Sequence, residues 1–192
     1  MKTRESGMPD ENYWVSFFDV DHIFKELEIN DQVFSLVDFG AGYGTFSLPA
    51  SRVISGKVHA YEIESELADE LLKKSQKVGL DNLTIHNRDF VESGSGLEEN
   101  SVDYVMIFNI LHATESPEIL KEAYRILKRG GKLGVIHWRY DQTTPRGPGM
   151  DIRPKPEELE KLIQGAGFKI LKFNIDLPPY HYGILAKRKN QI

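Results

Sequence analysis

Hydrophobic and polar positions along this chain follow two different periods in turn. Short apolar runs predict buried strands, and apolar residues at helical spacing predict helices between them. The predicted strands cover residues 33–39, 57–63, 82–87, 102–109, 132–138, 168–175 and 181–187. The first, fourth and fifth of these are nearly continuous apolar runs, as central parallel strands are. The pattern therefore predicts an α/β fold around a largely parallel sheet.

The predicted helices have recognisable ends. A cap or proline stands at each start and a glycine at each end, at Ser65 and Gly79, Ser116-Pro117 and Gly130, and Pro156 and Gly167. Near the end of the chain, Pro178-Pro179 separates two predicted strands. Such a short connection suits an antiparallel pair rather than a parallel one.

The 192 residues have the length of one domain, and we predict a single domain over 1–192. Its parts are an N-terminal helical cap at 10–29, a core at 33–140, an irregular loop at 141–156, and a C-terminal helix and strand pair at 157–192. The chain has no cysteine, which excludes thiolate metal sites, disulfides and cysteine nucleophiles. A net charge of −5 argues against a domain devoted to wrapping a nucleic-acid backbone.

A glycine-rich loop follows the first predicted strand, in the segment Asp38-Phe39-Gly40-Ala41-Gly42-Tyr43-Gly44, with a helix expected from about Thr45. Glycine is needed where a ligand approaches the backbone closely and the chain turns sharply. A strand, glycine loop and helix in this order are typical of a nucleotide-type site at the carboxyl ends of the strands. The spacing departs from the dinucleotide fingerprint because Thr45 stands where that fingerprint needs glycine or alanine, and no Walker lysine follows.

Polar residues at the ends of the next strands add to this site. Glu62 ends the second strand, where a carboxylate can accept both hydroxyls of a ribose. Asp89 follows the third strand and can accept from an adenine amino group, with Phe90 beside the ring. Asn109 lies at the end of the fourth strand, at the rim where ligands bind.

Five motifs in order resemble the class I, seven-strand, S-adenosylmethionine-dependent methyltransferases. They are VDFGAGYG (37–44), AYEIE (60–64), NRDF (87–90), SVDYVMIFNILH (101–112) and AYRILKRGGKL (123–133). The nearest resemblance is to small-molecule enzymes of the quinone-biosynthesis type. It implies a three-layer, doubly wound sheet with strand order 3-2-1-4-5-7-6 and an antiparallel last strand. It also implies S-adenosyl-L-methionine as cofactor and S-adenosyl-L-homocysteine as product.

The same resemblance implies roles for individual residues by motif position. The methionine part of the cofactor would pass over Gly40, Gly42 and Gly44, with Asp38 near its ammonium group. Glu62 would hold the ribose hydroxyls. The remaining positions would contact adenine or the methionyl side: Ile63 packs on adenine, Asp89 and Phe90 bind its edge and face, and Asn109 lines the methionyl side through its backbone.

Catalytic and acceptor-binding residues are predicted from their places in the chain. His112, after the fourth strand, and His137, late in the fifth, are candidate bases because histidine titrates near neutrality. Tyr13 and Trp14 in the aromatic N-terminal segment are expected to help cover the site. Arg139, Arg146 and Arg153, in or beside the irregular loop on the acceptor side, suggest a small and anionic acceptor.

Other functions stay open on the sequence alone. A nicotinamide-dependent oxidoreductase, a non-catalytic S-adenosylmethionine-binding protein and a methyltransferase acting on RNA or protein are alternatives to a small-molecule enzyme. The histidine spacing suggests no metal site. The start of the chain lacks the apolar run of a signal peptide and no stretch is long enough to span a bilayer, so the expected location is the cytoplasm, away from membranes.

Overall fold

The structure is a computed structural model, and it describes residues 8–189. Residues 1–7 and 190–192, the outer ends of the predicted domain, lie outside this range. Seven strands are present in the described chain: β1 (Ser35–Phe39), β2 (Lys57–Glu62), β3 (Leu83–Asn87), β4 (Val102–Phe108), β5 (Leu127–Trp138), β6 (Phe168–Leu177) and β7 (His181–Arg188). Each overlaps one of the seven strands predicted from the sequence.

The strands form one sheet in the order β3-β2-β1-β4-β5-β7-β6. The first five are parallel, and β7 is antiparallel to both β5 and β6. This confirms the predicted strand order and orientation. Phe39 at the end of β1 is in register with Tyr61 on β2 and Ile107 on β4. The carboxyl ends of these three strands therefore lie together at one edge of the sheet.

Seven helices occur among the described residues: α1 (Glu11–Val15), α2 (Val20–Glu26), α3 (Ser47–Val53), α4 (Ser65–Lys77), α5 (Phe90–Ser93), α6 (Ser116–Ile126) and α7 (Pro156–Gly165). The predicted N-terminal helical segment is two short helices. The first ends at Val15 with Ser16 as its C-cap. Asp19 starts the second, since its carboxylate accepts from the backbone N–H of His22 as an N-cap. No helix within residues 8–189 has the length and apolar character needed to cross a membrane.

The helices cover the sheet on both faces. On one face, α5, α6 and α7 bury Phe90, Leu120 and Ile163 against it. On the other face, α2, α3 and α4 bury Phe24, Ala50 and Leu71. Buried apolar area is the main source of stability in such a layered domain. The two faces together keep the central strands rigid, and these strands carry the site.

One element boundary differs from its prediction. The sequence predicts that Lys128, Arg129 and Gly130 close the helix before β5, whereas α6 ends at Ile126 and β5 begins at Leu127. Leu127 is fully buried and pairs with Val102 across a register shift. Tertiary pairing with β4 therefore overrides the helical pattern of the basic residues.

Candidate functional site

A cleft opens at the carboxyl ends of β1, β2 and β4, under the N-terminal segment. Eight of the residues predicted for the site line it: Trp14, Gly40, Glu62, Ile63, Asp89, Phe90, Asn109 and His112. They come from five separate stretches of chain. The strand order brings together all of them except Trp14, which comes from α1 in the N-terminal segment. Ligands bind at this place in open α/β sheets.

The three glycines of the loop after β1 have different surroundings. All three have positive φ angles, of 80°, 52° and 82° for Gly40, Gly42 and Gly44. Only Gly40 lines the cleft. A Cβ at Gly42 would lie 2.8 Å from Sδ of Met8, and one at Gly44 would lie 2.3 Å from a methyl carbon of Leu71. Gly44 thus allows close packing of the loop against α4, and its placement beneath a ligand stays a prediction.

Glu62 is a buried acid of the cleft that two backbone groups hold in place. It is 4% exposed, and its two carboxylate oxygens accept from the backbone N–H of Gly42 at 2.8 Å and of Glu64 at 2.9 Å. Burial raises the pKa of Glu62, and these two hydrogen bonds oppose that shift. Each carboxylate oxygen can accept more than one hydrogen bond. The geometry therefore fits a carboxylate that supports the glycine loop and still accepts from ribose hydroxyls.

Asp38 lies behind the glycine loop rather than in the cleft wall. It is buried, and its carboxylate accepts from the hydroxyl of Ser47 at the start of α3. Burial raises the pKa of Asp38 to about 7, with the nearby Glu62 adding to the rise and the Ser47 hydrogen bond opposing it. The placement of Asp38 beside an ammonium group stays a prediction.

Asn109 presents an unexpected polar group to the cleft. Its φ of 62° is a conformation that asparagine tolerates better than most residues. Its backbone N–H is taken, donating to the carbonyl of Ile136 at 2.8 Å. Both polar atoms of its side-chain amide are buried and find no partner among the described residues. Buried polar atoms are normally satisfied, so this amide fits a polar ligand that reaches the cleft. The sequence predicts only a backbone role for Asn109.

Asp89 and Phe90 already make structural contacts. One oxygen of Asp89 caps α5, accepting from the backbone N–H of Val91 and Glu92 at 3.0 and 3.1 Å. The ring of Phe90 stacks on Phe39 with centroids 3.9 Å apart. Phe39 therefore covers one face of the Phe90 ring. An adenine can contact Phe90 only on the side that lines the cleft. Arg88 also lines the cleft, and nothing in the sequence pattern singles it out.

His112 and His137 are brought together by β4 and β5. Nε2 of His137 lies 3.4 Å from Nδ1 of His112. His112 lines the cleft, whereas His137 is fully buried behind it. Burial lowers the pKa of His112, and burial and then the neighbouring His112 lower the pKa of His137 further. Only His112 is placed to contact a ligand, so a direct catalytic role for His137 does not follow from the geometry.

The N-terminal segment forms the roof of the cleft. Trp14 lines the cleft, but Tyr13 is 48% exposed and packs on Phe17 instead. Two contacts tie the segment to the loop after β1 and to α4. The hydroxyl of Tyr43 donates to the carbonyl of Pro9 at 2.9 Å, and Lys74 pairs with Glu11 at 2.7 Å. The predicted cover is present, with Trp14 rather than Tyr13 as its aromatic contact.

The three arginines predicted for the acceptor do not line the cleft. Arg139 pairs with Asp176 and donates to the carbonyls of Pro179 and His181, which fixes the end of β5 to the C-terminal strands. Arg146 lies on the exposed surface of the loop. In the sequence all three stand beside an irregular stretch, and nothing in the pattern shows which way that stretch folds.

Arg153 is the centre of the loop at 141–156. Its side chain is 7% exposed and donates to four backbone carbonyls and one hydroxyl, those of Arg139, Asp141, Arg146, Pro148 and Thr144. Its guanidinium is therefore committed to the loop itself and is not offered to an acceptor. No residue of this loop lines the cleft. The loop is thus held by Arg153 and lies outside the lining of the cleft, and a contact of its arginines with an acceptor stays a prediction.

Within residues 8–189 no group of three or more histidine, cysteine, aspartate or glutamate side chains could hold a metal ion.

Comparison with known proteins agrees with the geometry of the cleft. A family model described as a methyltransferase domain matches residues 37–135, from the glycine loop to the middle of β5. A crystal structure of a SAM-dependent methyltransferase from Aquifex aeolicus superposes with a TM-score of 0.82 at 23% identity, covering 93% of this chain and 94% of that one. A [4+2]-cyclase, SpnF, superposes with a TM-score of 0.74 at 17% identity, covering 90% of this chain and 80% of that one. These structures share the fold.

Two curated relatives have similar sequences. An uncharacterized methyltransferase-like protein of Schizosaccharomyces pombe is 31% identical over 122 residues, 60% of this chain and 42% of that protein. A ubiquinone/menaquinone biosynthesis C-methyltransferase of Haemophilus ducreyi is 28% identical over 173 residues, 72% of this chain and 65% of that protein. The chain thus spans less than two thirds of the length of either relative. Since the family model covers more than half of the chain, including the glycine loop and Glu62, this protein belongs to the methyltransferase domain family.

Proposed function

We propose that this protein binds S-adenosylmethionine in the cleft and transfers its methyl group to a small aromatic acceptor. The proposal rests on one arrangement. Glu62, with a buried carboxylate, and Asn109, with a buried amide that has no partner among the described residues, both line the same cleft beside a glycine loop. Membership of the methyltransferase domain family supports the cofactor, and the 93% coverage of the Aquifex structure supports the whole architecture.

The cofactor supplies an activated methyl group and a good leaving group. The protein has mainly to position the acceptor behind the methyl group, exclude water from the cleft and remove a proton from the acceptor where one must leave. Glu62 would hold the ribose, while Asn109 would bind polar atoms near the methionyl part. Trp14 in the roof and Phe108 and Ile110 in the wall exclude water. Orientation of two reactants alone can lower a barrier by about 7–11 kcal/mol.

The lining of the cleft favours an apolar, neutral acceptor. Its charged members are one arginine, Arg88, against the three acids Glu62, Asp89 and Glu115. Such a balance disfavours an anion, and the three arginines that suggest an anionic acceptor are not part of the cleft lining. A relative named for quinone biosynthesis points in the same direction, toward an aromatic ring. We therefore propose a phenol or hydroquinone-type acceptor and no longer an anionic one.

Calorimetric titration tests cofactor binding directly. We expect S-adenosylmethionine and S-adenosylhomocysteine to bind, each with one site per chain, and NAD to give no heat. The reason is that the loop has no third glycine at position 45 to bring a helix against a pyrophosphate. Binding of NAD without response to the other two ligands would contradict the proposed function.

Methyl transfer needs its own assay because the fold also occurs in a protein named as a cyclase. Labelled S-adenosylmethionine is incubated with 1,4-naphthalenediol, benzylamine, benzoate, bulk tRNA and a mixed protein fraction. We expect label on the diol. Label only on tRNA or protein would replace the small-molecule acceptor by a macromolecular one. Binding without transfer to any of the five would favour a non-catalytic binding protein.

Cofactor binding should also depend on pH through Asp38. With its pKa raised to about 7, Asp38 is mostly protonated at pH 6 in the free protein. An ammonium group nearby favours the ionised form, so binding releases a proton below pH 7. Affinity for S-adenosylhomocysteine should then rise from pH 5.5 to 7 and level off above. Calorimetry at pH 6 in two buffers of different ionisation enthalpy measures the number of protons released on binding.

Asp38→Asn is the matched variant, because it keeps the shape of the side chain and cannot titrate. Proton release at pH 6 should disappear in this variant. If the wild-type protein releases no proton at pH 6, the ammonium group does not lie near Asp38.

A further inference from the structure

Two histidines form a pair in the wall of the cleft. His112 lies in the loop after β4 and lines the cleft, while His137 lies near the end of β5 and is fully buried. Nε2 of His137 and Nδ1 of His112 are 3.4 Å apart. One ring nitrogen of the exposed partner is therefore occupied by the buried partner.

Hydrogen-bond partners fix where the protons of this pair lie. Nδ1 of His137 lies 3.4 Å from the backbone carbonyl oxygen of Trp138, which can only accept. Nδ1 of His137 must then carry the proton, which leaves its Nε2 as an acceptor. Nδ1 of His112 is consequently the donor to that Nε2. A neutral imidazole has one N–H, so Nε2 of His112 has no proton and is basic.

The buried partner is suited to stay neutral throughout. Burial and then the adjacent His112 hold the pKa of His137 well below its usual range, while the Trp138 carbonyl opposes the shift. The other groups facing it, on β7 and in the loop at 141–156, are His181, Tyr182 and Arg153. None of them is an acid that would favour a charged His137. It can therefore accept from His112 both before and after His112 gains a proton.

We propose that His137 is a positioning residue that holds His112 in the tautomer with an unprotonated Nε2, and that His112 deprotonates a phenolic acceptor in the cleft. This inference rests on the proposed function. The acceptor O–H bond breaks and its proton moves to Nε2 of His112. The phenolate electron pair, at oxygen or at a conjugated ring carbon, forms the bond to the methyl carbon. The sulfur keeps the electron pair of the broken carbon–sulfur bond.

Methylation at a ring carbon, rather than at oxygen, needs one further step to balance. The ring carbon that gains the methyl group loses its own proton, and the ring oxygen regains one. In either case His112 returns its proton to water when the product leaves. A phenol has a pKa of about 10 and is almost wholly protonated at neutral pH, so it needs a base. This need selects a phenol or hydroquinone rather than an oxidised quinone as the acceptor.

The first test observes the tautomer without cofactor or acceptor. Two-bond proton–nitrogen correlation spectra of protein labelled with ¹⁵N-histidine show which ring nitrogen is protonated. We expect His112 with a protonated Nδ1 and a bare Nε2 in the wild-type protein. His137→Gln keeps an oxygen acceptor and should preserve this pattern, whereas His137→Leu should allow the Nε2–H form. A protonated Nε2 in the wild type, or no difference between the two variants, would overturn the positioning role.

The second test measures transfer to 1,4-naphthalenediol. His112→Gln should lower kcat by about 10²- to 10⁴-fold, the usual range for a general base, with S-adenosylhomocysteine affinity unchanged within twofold. His137→Leu should lower kcat about tenfold and move the acidic limb of the pH profile to lower pH, and His137→Gln should recover most of the rate. His22→Gln, on α2, is the control for histidine replacement and should match the wild type.

These outcomes separate this inference from the proposed function. The base assignment is wrong if the wild-type protein binds S-adenosylmethionine but does not methylate the diol. It is also wrong if the His112→Gln variant methylates the diol as fast as the wild type. In both cases cofactor binding stands. Failure to bind S-adenosylmethionine would instead remove the proposed function, and the tautomer measurement would still decide the positioning role. Circular dichroism and melting temperature verify that each variant is folded.

Discussion

Glu62→Ala should weaken binding of S-adenosylhomocysteine by roughly 30- to 1,000-fold, or about 2–4 kcal/mol. The carboxylate is buried and already accepts from the backbone N–H of Gly42 and Glu64. Alanine removes the acceptor of the ribose hydroxyls and also leaves two backbone donors of the loop without a partner. Hydrogen bonds to a charged acceptor are worth about 1.5–3 kcal/mol each, though not additively. Calorimetry at pH 8 gives the affinity.

Two further variants make this result specific. Glu62→Gln keeps the shape but can accept through only one of its two terminal atoms, so its affinity should lie between wild type and alanine. Glu66→Ala removes an exposed acid in the first turn of α4 and should change affinity less than twofold. An alanine variant at Glu62 that is folded and binds as tightly as the wild type would show that another residue holds the ribose.

Gly44→Ala should lower the melting temperature by roughly 4–16 °C, corresponding to about 2–4 kcal/mol in a domain of this size. Two effects add. The φ of 82° is unfavourable for any residue with a Cβ, by about 1–2 kcal/mol. The new Cβ would also lie 2.3 Å from a methyl carbon of Leu71 and 3.2 Å from Cγ of Leu48, which forces repacking against α4.

Gly79→Ala is the matched control for the backbone contribution. Gly79 follows α4 with a φ of 67°, and a Cβ there meets nothing within 4 Å. Gly79→Ala should lower the melting temperature by about 2–8 °C, as the backbone effect of about 1–2 kcal/mol alone requires, and by less than Gly44→Ala. Equal losses in the two variants would mean that Leu71 and Leu48 yield without strain, and that Gly44 is needed for its backbone conformation only.

The strand order could be predicted because each strand has local apolar patterning and the glycine loop identifies β1. Boundaries that depend on tertiary pairing could not. Residues 127–131 have the composition of a helix end, and only the pairing of Leu127 with Val102 makes them part of β5. Local propensity is weaker than a buried strand pairing, so the sequence pattern indicates the wrong element there.

The candidate site was predictable where a residue directly follows a strand. Glu62, Asp89 and Asn109 follow strands whose ends meet at one edge, so the topology alone brings them together. Arg153 stands in an irregular loop, where the direction of a side chain depends on backbone turns that have no periodic signature. The sequence shows an arginine in that loop; it does not show that three carbonyls of the loop, and the carbonyl of Arg139 just before it, surround the guanidinium.

The contact between Met8 and the glycine loop has a consequence for the rate at which ligands exchange. With Sδ of Met8 only 2.8 Å from the Cβ position of Gly42, no space remains between them. A ligand passing over Gly42 must therefore displace Met8, and the observed affinity includes the free energy of that displacement. Met8 belongs to the N-terminal segment, which contacts the rest of the protein through Pro9 and Glu11, so the displaced part is the start of that segment. We therefore expect entry of cofactor and departure of product to need the same displacement of Met8, and its rate to set an upper limit on turnover.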